Sequence, residues 1–274
     1  MAIVDPGAAA MAGLDTLILQ YAQVAQGDRA IIAYWHECGT AAAWLAAALK
    51  LAGVSAEMHP FSTSDEEAFA ASFEPIVARA ASGGAPVHLF VGENQSLSFT
   101  HVLRRFAAQY GVSIWRLMNF TPELFELGLQ LSPEAIKSVN AALLDRLMRP
   151  HEIEVVTGGA AGESYRLVAA IDPDEYQWIS NYGRHGKGEL IALPAGEINT
   201  YPAALDGEFH ADGAIHANIP LNFDVRLARH PVLLRIKDRA VYDFACADVH
   251  LSRALDMVFS NDLCRRVGEL GFGT

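Results

Sequence analysis

Residues 30–61 decide the fold: Ala30-Ile31-Ile32-Ala33-Tyr34-Trp35, then Gly39-Thr40 leading through AAAWLAAALKLA to Gly53, then Val54-Ser55-Ala56-Glu57-Met58-His59-Pro60-Phe61. The first six residues are apolar and rich in β-formers, which reads as a buried strand. The Ala- and Leu-rich run is a helix, and Gly53 is its stop signal. A second strand follows. One helix between two strands implies parallel pairing through a right-handed crossover.

The same alternation continues down the chain. Ser64 with Glu67 forms a capping box that should open the next helix. APVHLFVG (85–92) reads as a third strand, SFTHVLRRFAAQYG (98–111) as a helix with a Gly stop, and VSIWRLMNF (112–120) as a fourth strand. Thr121-Pro122-Glu123 and Ser132-Pro133-Glu134 are helix starts with Pro at the first helical position. With only about four such units, an open doubly wound sheet is favoured over a closed barrel.

From His151 the pattern changes to short strands: HEIEVVTG, ESYRLVAAI, GELIAL and HPVLLRIKDRAVYDFA. Gly158-Gly159, Asp206-Gly207, Asp212-Gly213 and Lys237-Asp238 punctuate them, which predicts hairpins. A helix over Asp248–Phe259 closes the region. The expected architecture is α/β: a Rossmann-like, doubly wound parallel sheet over 1–150, and a largely antiparallel α+β domain over 151–274.

Composition bounds the function. The 274 residues are 51% hydrophobic, ample for packed cores, and carry a net charge of −12. That charge disfavours nucleic acid and anionic membranes, which need clustered Lys and Arg. Cys38, Cys246 and Cys264 are too few and scattered for a disulfide framework. The first fifteen residues lack a basic start, and Ala41–Val54 is too short to span a bilayer. The expectation is a soluble cytoplasmic protein.

Three segments could carry chemistry. Leu193-Pro194-Ala195-Gly196-Glu197-Ile198-Asn199-Thr200-Tyr201-Pro202 turns a strand through Pro and Gly and presents a carboxylate. Asp206–His216 contains His210, Asp212 and His216 at even offsets, which places them on one face if extended. They could join Glu197 around a metal, or simply line a polar hairpin. The third segment is Gly268-Glu269-Leu270-Gly271-Phe272-Gly273-Thr274.

LPAGEINTYP, the DGAI turn at 212–215, RIKDRAV at 235–241 and the GELGFGT segment together resemble the C-terminal domain of the aminopeptidase T family, the M29 metallopeptidases. An iron-dependent ring-cleaving dioxygenase of dihydroxypyridine uses the same fold. The resemblance covers roughly Val155–Thr274. It implies that Glu197 and Glu269 are metal ligands for Zn or Fe. It also implies further His and His-x-Asp ligands beyond Thr274, so the sequence resembles a C-terminally truncated member.

Two carboxylates without imidazole make a poor Zn²⁺ or Fe²⁺ site. The leading expectation is therefore a non-catalytic relative that binds a peptide or small molecule, in a natural-product pathway for example. The alternative is a metal-dependent aminopeptidase or ring-cleavage dioxygenase using Glu197 and Glu269, with one divalent metal. The resemblance also implies a homodimer, and a protein partner is a third reading. Arg184 and His185, in a Gly-rich basic stretch, and Tyr201 are the further ligand-contact candidates. His36 and Cys38, between the first strand and its helix, stand where doubly wound folds bind ligands.

Overall fold

The computed structural model describes residues 6–94, 99–158, 162–184, 190–215 and 226–274. Helix α1 (Ala8–Asp15) runs into a π-helical turn (Thr16–Tyr21). Then come β1 (Arg29–Trp35), α2 (Gly39–Leu51), β2 (Ser55–Phe61), α3 (Glu66–Ala81), β3 (Val87–Glu93), α4 (Thr100–Tyr110), β4 (Ser113–Met118) and α5 (Pro133–Leu147). The chain continues through β5 (Glu152–Gly158), β6 (Ser164–Ala170), β7 (Ile179–Asn181), β8 (Leu190–Leu193), β9 (Glu197–Thr200) and β10 (Ala204–Ala211). It finishes with β11 (Val232–Lys237), β12 (Ala240–Cys246), α6 (Val249–Phe259), α7 (Asp262–Arg265) and β13 (Leu270–Gly273).

The described residues up to Lys137 and those of Asn181–Gly196 form one compact unit; those of Ser138–Ser180 and from Glu197 onward form a second. The first unit is built on a five-stranded sheet of order β2-β1-β3-β4-β8, and each neighbouring pair is parallel. Every residue of central β3 is buried, as expected for a strand covered on both faces. Phe69 and Phe73 stack at 4.5 Å, and Phe69 and Phe99 at 4.4 Å, in a core that also takes in Phe61.

The second unit carries an antiparallel sheet of order β12-β11-β10-β6-β5 and a small sheet of order β13-β9-β7. Its core is separate, centred on Leu167, Ala169, Leu205, Val232, Ile236 and the inner face of α6. Asp238 (φ 50°) and Arg239 (φ 61°) are both left-handed and turn β11 into β12, the type I′ geometry that suits a hairpin. Asp248 caps α6 by accepting from the N–H groups of His250 and Leu251.

Two local readings need correction. GELIAL, read with the antiparallel half, supplies β8, which pairs parallel to β4. Its burial alternates along the strand, so composition could not show which sheet it would join. The cap of α3 is Asp65, whose carboxylate accepts the Ala68 N–H at 2.8 Å, rather than Ser64. Glu66 instead accepts the N–H of Val102, on α4. The predicted starts at Pro122 and Pro133 hold: the first leads into a π-helical turn over Leu124–Gly128, and the second opens α5. Among the described residues no helix is long and apolar enough to cross a membrane.

Candidate functional site

β9 and β13 bring Glu197 and Glu269 together. The strands are antiparallel, with Glu197 opposite Gly273 and Asn199 opposite Gly271. Glycine at 271 leaves room for this approach: a Cβ there would sit 2.5 Å from Glu197 Oε1 and 3.6 Å from Glu269 Oε1. The two carboxyl groups thus face each other across the strand pair. Partial burial, the Glu197 charge and a side-chain hydrogen bond with Glu197 together raise the Glu269 pKa above the usual carboxylate range. Pro194 and Gly196 (φ 120°) make the turn between β8 and β9 that sets Glu197 at the strand start.

Asn140 fastens this edge, and sequence reasoning missed it. It is fully buried on α5. Its Nδ2 donates to Ser180 Oγ at 2.9 Å and to the Glu197 carbonyl at 3.2 Å, while its Oδ1 accepts from Thr274 Oγ1 at 2.6 Å. One amide thus ties helix, β7, β9 and the residue after β13. The signal was present: Asn140 lies four residues after buried Ile136, where an amphipathic stripe calls for an apolar side chain.

Tyr201 lies just past β9. Its ring is 4.9 Å from that of Tyr176, and the Arg239 guanidinium stands 5.1 Å over it. The backbone of Arg239 bonds twice more: its N–H donates to Leu205 O at 3.0 Å, and its carbonyl accepts from Val267 N at 2.8 Å. His210, on β10, stacks parallel to Tyr165 at 5.5 Å, and its buried Nδ1 has no hydrogen-bond partner among the described residues. His185 and His216 lie outside the described residues.

In the first unit, Arg184 is ion-paired with Glu134. His36 and Cys38 form a single 3₁₀ turn after β1. Burial, with the nearby charges of Glu37 and Glu93, pushes the Cys38 thiol up to about 11. That is the opposite of an activated thiolate. Glu37 also accepts from Asn94 Nδ2 at 2.9 Å.

A catalytic Zn²⁺ or Fe²⁺ takes three or four protein ligands, usually including imidazole. Among the described residues no three His, Cys, Asp or Glu side chains converge in that way. The described donors around Glu197 and Glu269 therefore do not fit such an ion.

No protein-family model matches the sequence, and a search of curated proteins finds no match. Solved structures do match over nearly the whole chain. Wild-type AmpT from Thermus thermophilus superposes with a TM-score of 0.59 at 16% identity, covering 96% of this chain and 78% of that one. The 2,5-dihydroxypyridine dioxygenase from Pseudomonas putida KT2440 gives 0.63 at 15% identity, covering 98% and 77%. At these identities the likeness is one of fold: the chain is a structural relative of both proteins.

Proposed function

We propose that this protein binds an amine-bearing peptide or small molecule, with the Glu197–Glu269 pair as the receptor for the amine. The observation that supports this is the close approach of two carboxyl groups at the β9–β13 edge, where burial and the neighbouring charge raise the Glu269 pKa. An ammonium group offers both the positive charge and the N–H donors that two adjacent carboxylates lack. It would donate to both carboxylates, at a strand whose Glu197 carbonyl Asn140 holds from behind. Peptide-sized ligands suit the aminopeptidase T resemblance, without a hydrolytic step being required.

The pair also favours a second reading, a metal-dependent aminopeptidase or ring-cleavage enzyme in which Glu197 and Glu269 are two of the ligands. One calorimetric titration separates the two. Leucinamide should bind the protein equally with and without EDTA, and at least tenfold more weakly to Glu197→Gln. Its affinity should rise with pH until Glu269 is fully deprotonated. Stoichiometric Zn²⁺ or Fe²⁺ binding, together with chelator-sensitive hydrolysis of an amino-acid anilide, would replace the binding role with the enzymatic one. Unchanged leucinamide binding by Glu197→Gln would reject both roles for the pair.

A further inference from the structure

We infer that the first unit holds a separate binding site for a compact organic cation, at the N-terminal ends of its parallel strands, with Asp28 as the charged receptor. A cavity of about 620 Å³ opens there, within the size range of small-molecule sites. Its lining includes Asp28 just before β1, His88 on β3, Trp115 on β4, and the rings of Tyr21 and Tyr110. Doubly wound sheets usually place ligands at the opposite, C-terminal edge. The cavity is therefore not the position that the topology alone nominates.

The hydrogen bonds around Asp28 define the ligand's charge. Trp115 Nε1 donates to His88 Nδ1 at 3.4 Å. An indole nitrogen only donates, so His88 Nδ1 must present a lone pair and the ring proton sits on Nε2. Nε2 then donates to Asp28 Oδ2 at 3.2 Å, and the Ala25 N–H donates to the same oxygen at 2.8 Å. Burial lowers the His88 pKa, against the pull of Asp28, in agreement with a neutral ring.

Asp28 is thus a carboxylate that is 8% exposed and contacted by neutral donors alone. Its Oδ1 accepts no hydrogen bond from the described residues. A buried carboxylate in this state gains most from a cation with N–H groups. The walls suit the same ligand. Tyr21 and Tyr110 spend their hydroxyl protons on Leu131 O and Glu74 Oε1, so they and Trp115 offer aromatic surface, which attracts cations. Arg184 also lines the cavity, and its charge is already met by Glu134.

The test uses the intact chain and benzylammonium as probe, with benzyl alcohol as its neutral isostere. In Glu197→Gln, which removes the amine receptor proposed at the carboxyl pair, calorimetry should show one benzylammonium site that benzyl alcohol does not fill. Adding Asp28→Asn should weaken it at least tenfold; binding by the parent that is lost altogether in Glu197→Gln would instead assign the probe to the carboxyl pair. Should Asp28→Asn fail to fold, ¹⁵N-histidine labelling of the parent chain gives the second readout. The probe should shift the His88 Nε2 resonance, and benzyl alcohol should not. No benzylammonium binding, equal binding of both probes, equal binding to a folded Asp28→Asn, or an unmoved His88 signal overturns the site.

Discussion

His88 in the first unit and Glu269 in the second are both pushed toward their neutral forms by burial, and their neighbours act on that push in opposite ways. His88 is buried beside an indole donor that leaves no room for a second ring proton. Glu269 is more exposed, and it faces another carboxylate whose charge adds to the upward shift. In both, burial is the largest push; the neighbour then opposes it, as Asp28 does for His88, or adds to it, as Glu197 does for Glu269. Because one group is a base and the other an acid, acidity acts on the two units in opposite senses.

The strongest way to break the comparison is to unfold one unit selectively. Phe69 is fully buried and stacks on two other rings, so Phe69→Ala should cost about 3–5 kcal/mol. Denaturant unfolding followed by hydrogen exchange should show that cost falling on β1–β4 amides first. Asn140→Ala should cost the second unit about 1–3 kcal/mol, since it strands the partners of a buried amide. It should also weaken leucinamide binding, which Phe69→Ala in its folded fraction should spare.

Lowering the pH sharpens the contrast. A histidine whose folded pKa is depressed contributes stability above its ordinary value near 6.5 that is lost as the pH falls below it. A carboxyl whose folded pKa is raised contributes stability at pH below its ordinary value, near 4.5, that is lost as the pH rises through the folded one. Exchange protection should therefore fall in β3 and hold in β9 and β13 as the pH drops from 7 to 5. Glu269→Gln, permanently neutral, should melt above the parent at pH 7 and level with it near pH 3. The smallest effect on stability is expected for Gly271→Ala. The added methyl displaces only the flexible tip of Glu197, so melting should change by less than about 1 kcal/mol. The Glu269 carbon resonance should nevertheless titrate closer to an ordinary carboxylate.

Much of the first unit was legible because its strands and helices are separated by strong punctuation: Gly53, Gly111 and Ser132-Pro133 mark real boundaries. The hairpin at Lys237-Asp238 and the cap at Asp248 were equally local and equally readable. β8 was not, because the choice between two sheets is made by distant pairing with β4. The carboxyl pair was legible only through its motifs: 72 residues separate Glu197 from Glu269, and no periodicity joins them. Asn140 and the Trp115–His88–Asp28 chain depend on contacts across the fold, so spacing alone could not reveal them.

Arg239 shows what such distant contacts do to local preference. A left-handed position in a two-residue turn is easiest for glycine, and taken alone the hairpin would be better off with one. Glycine would keep the two main-chain links to Leu205 and Val267 but lose the cation over Tyr201. The residue that eases the corner would therefore leave the stretch after Glu197 less well braced, so a consensus-minded redesign of this turn would relieve strain in one place and loosen another.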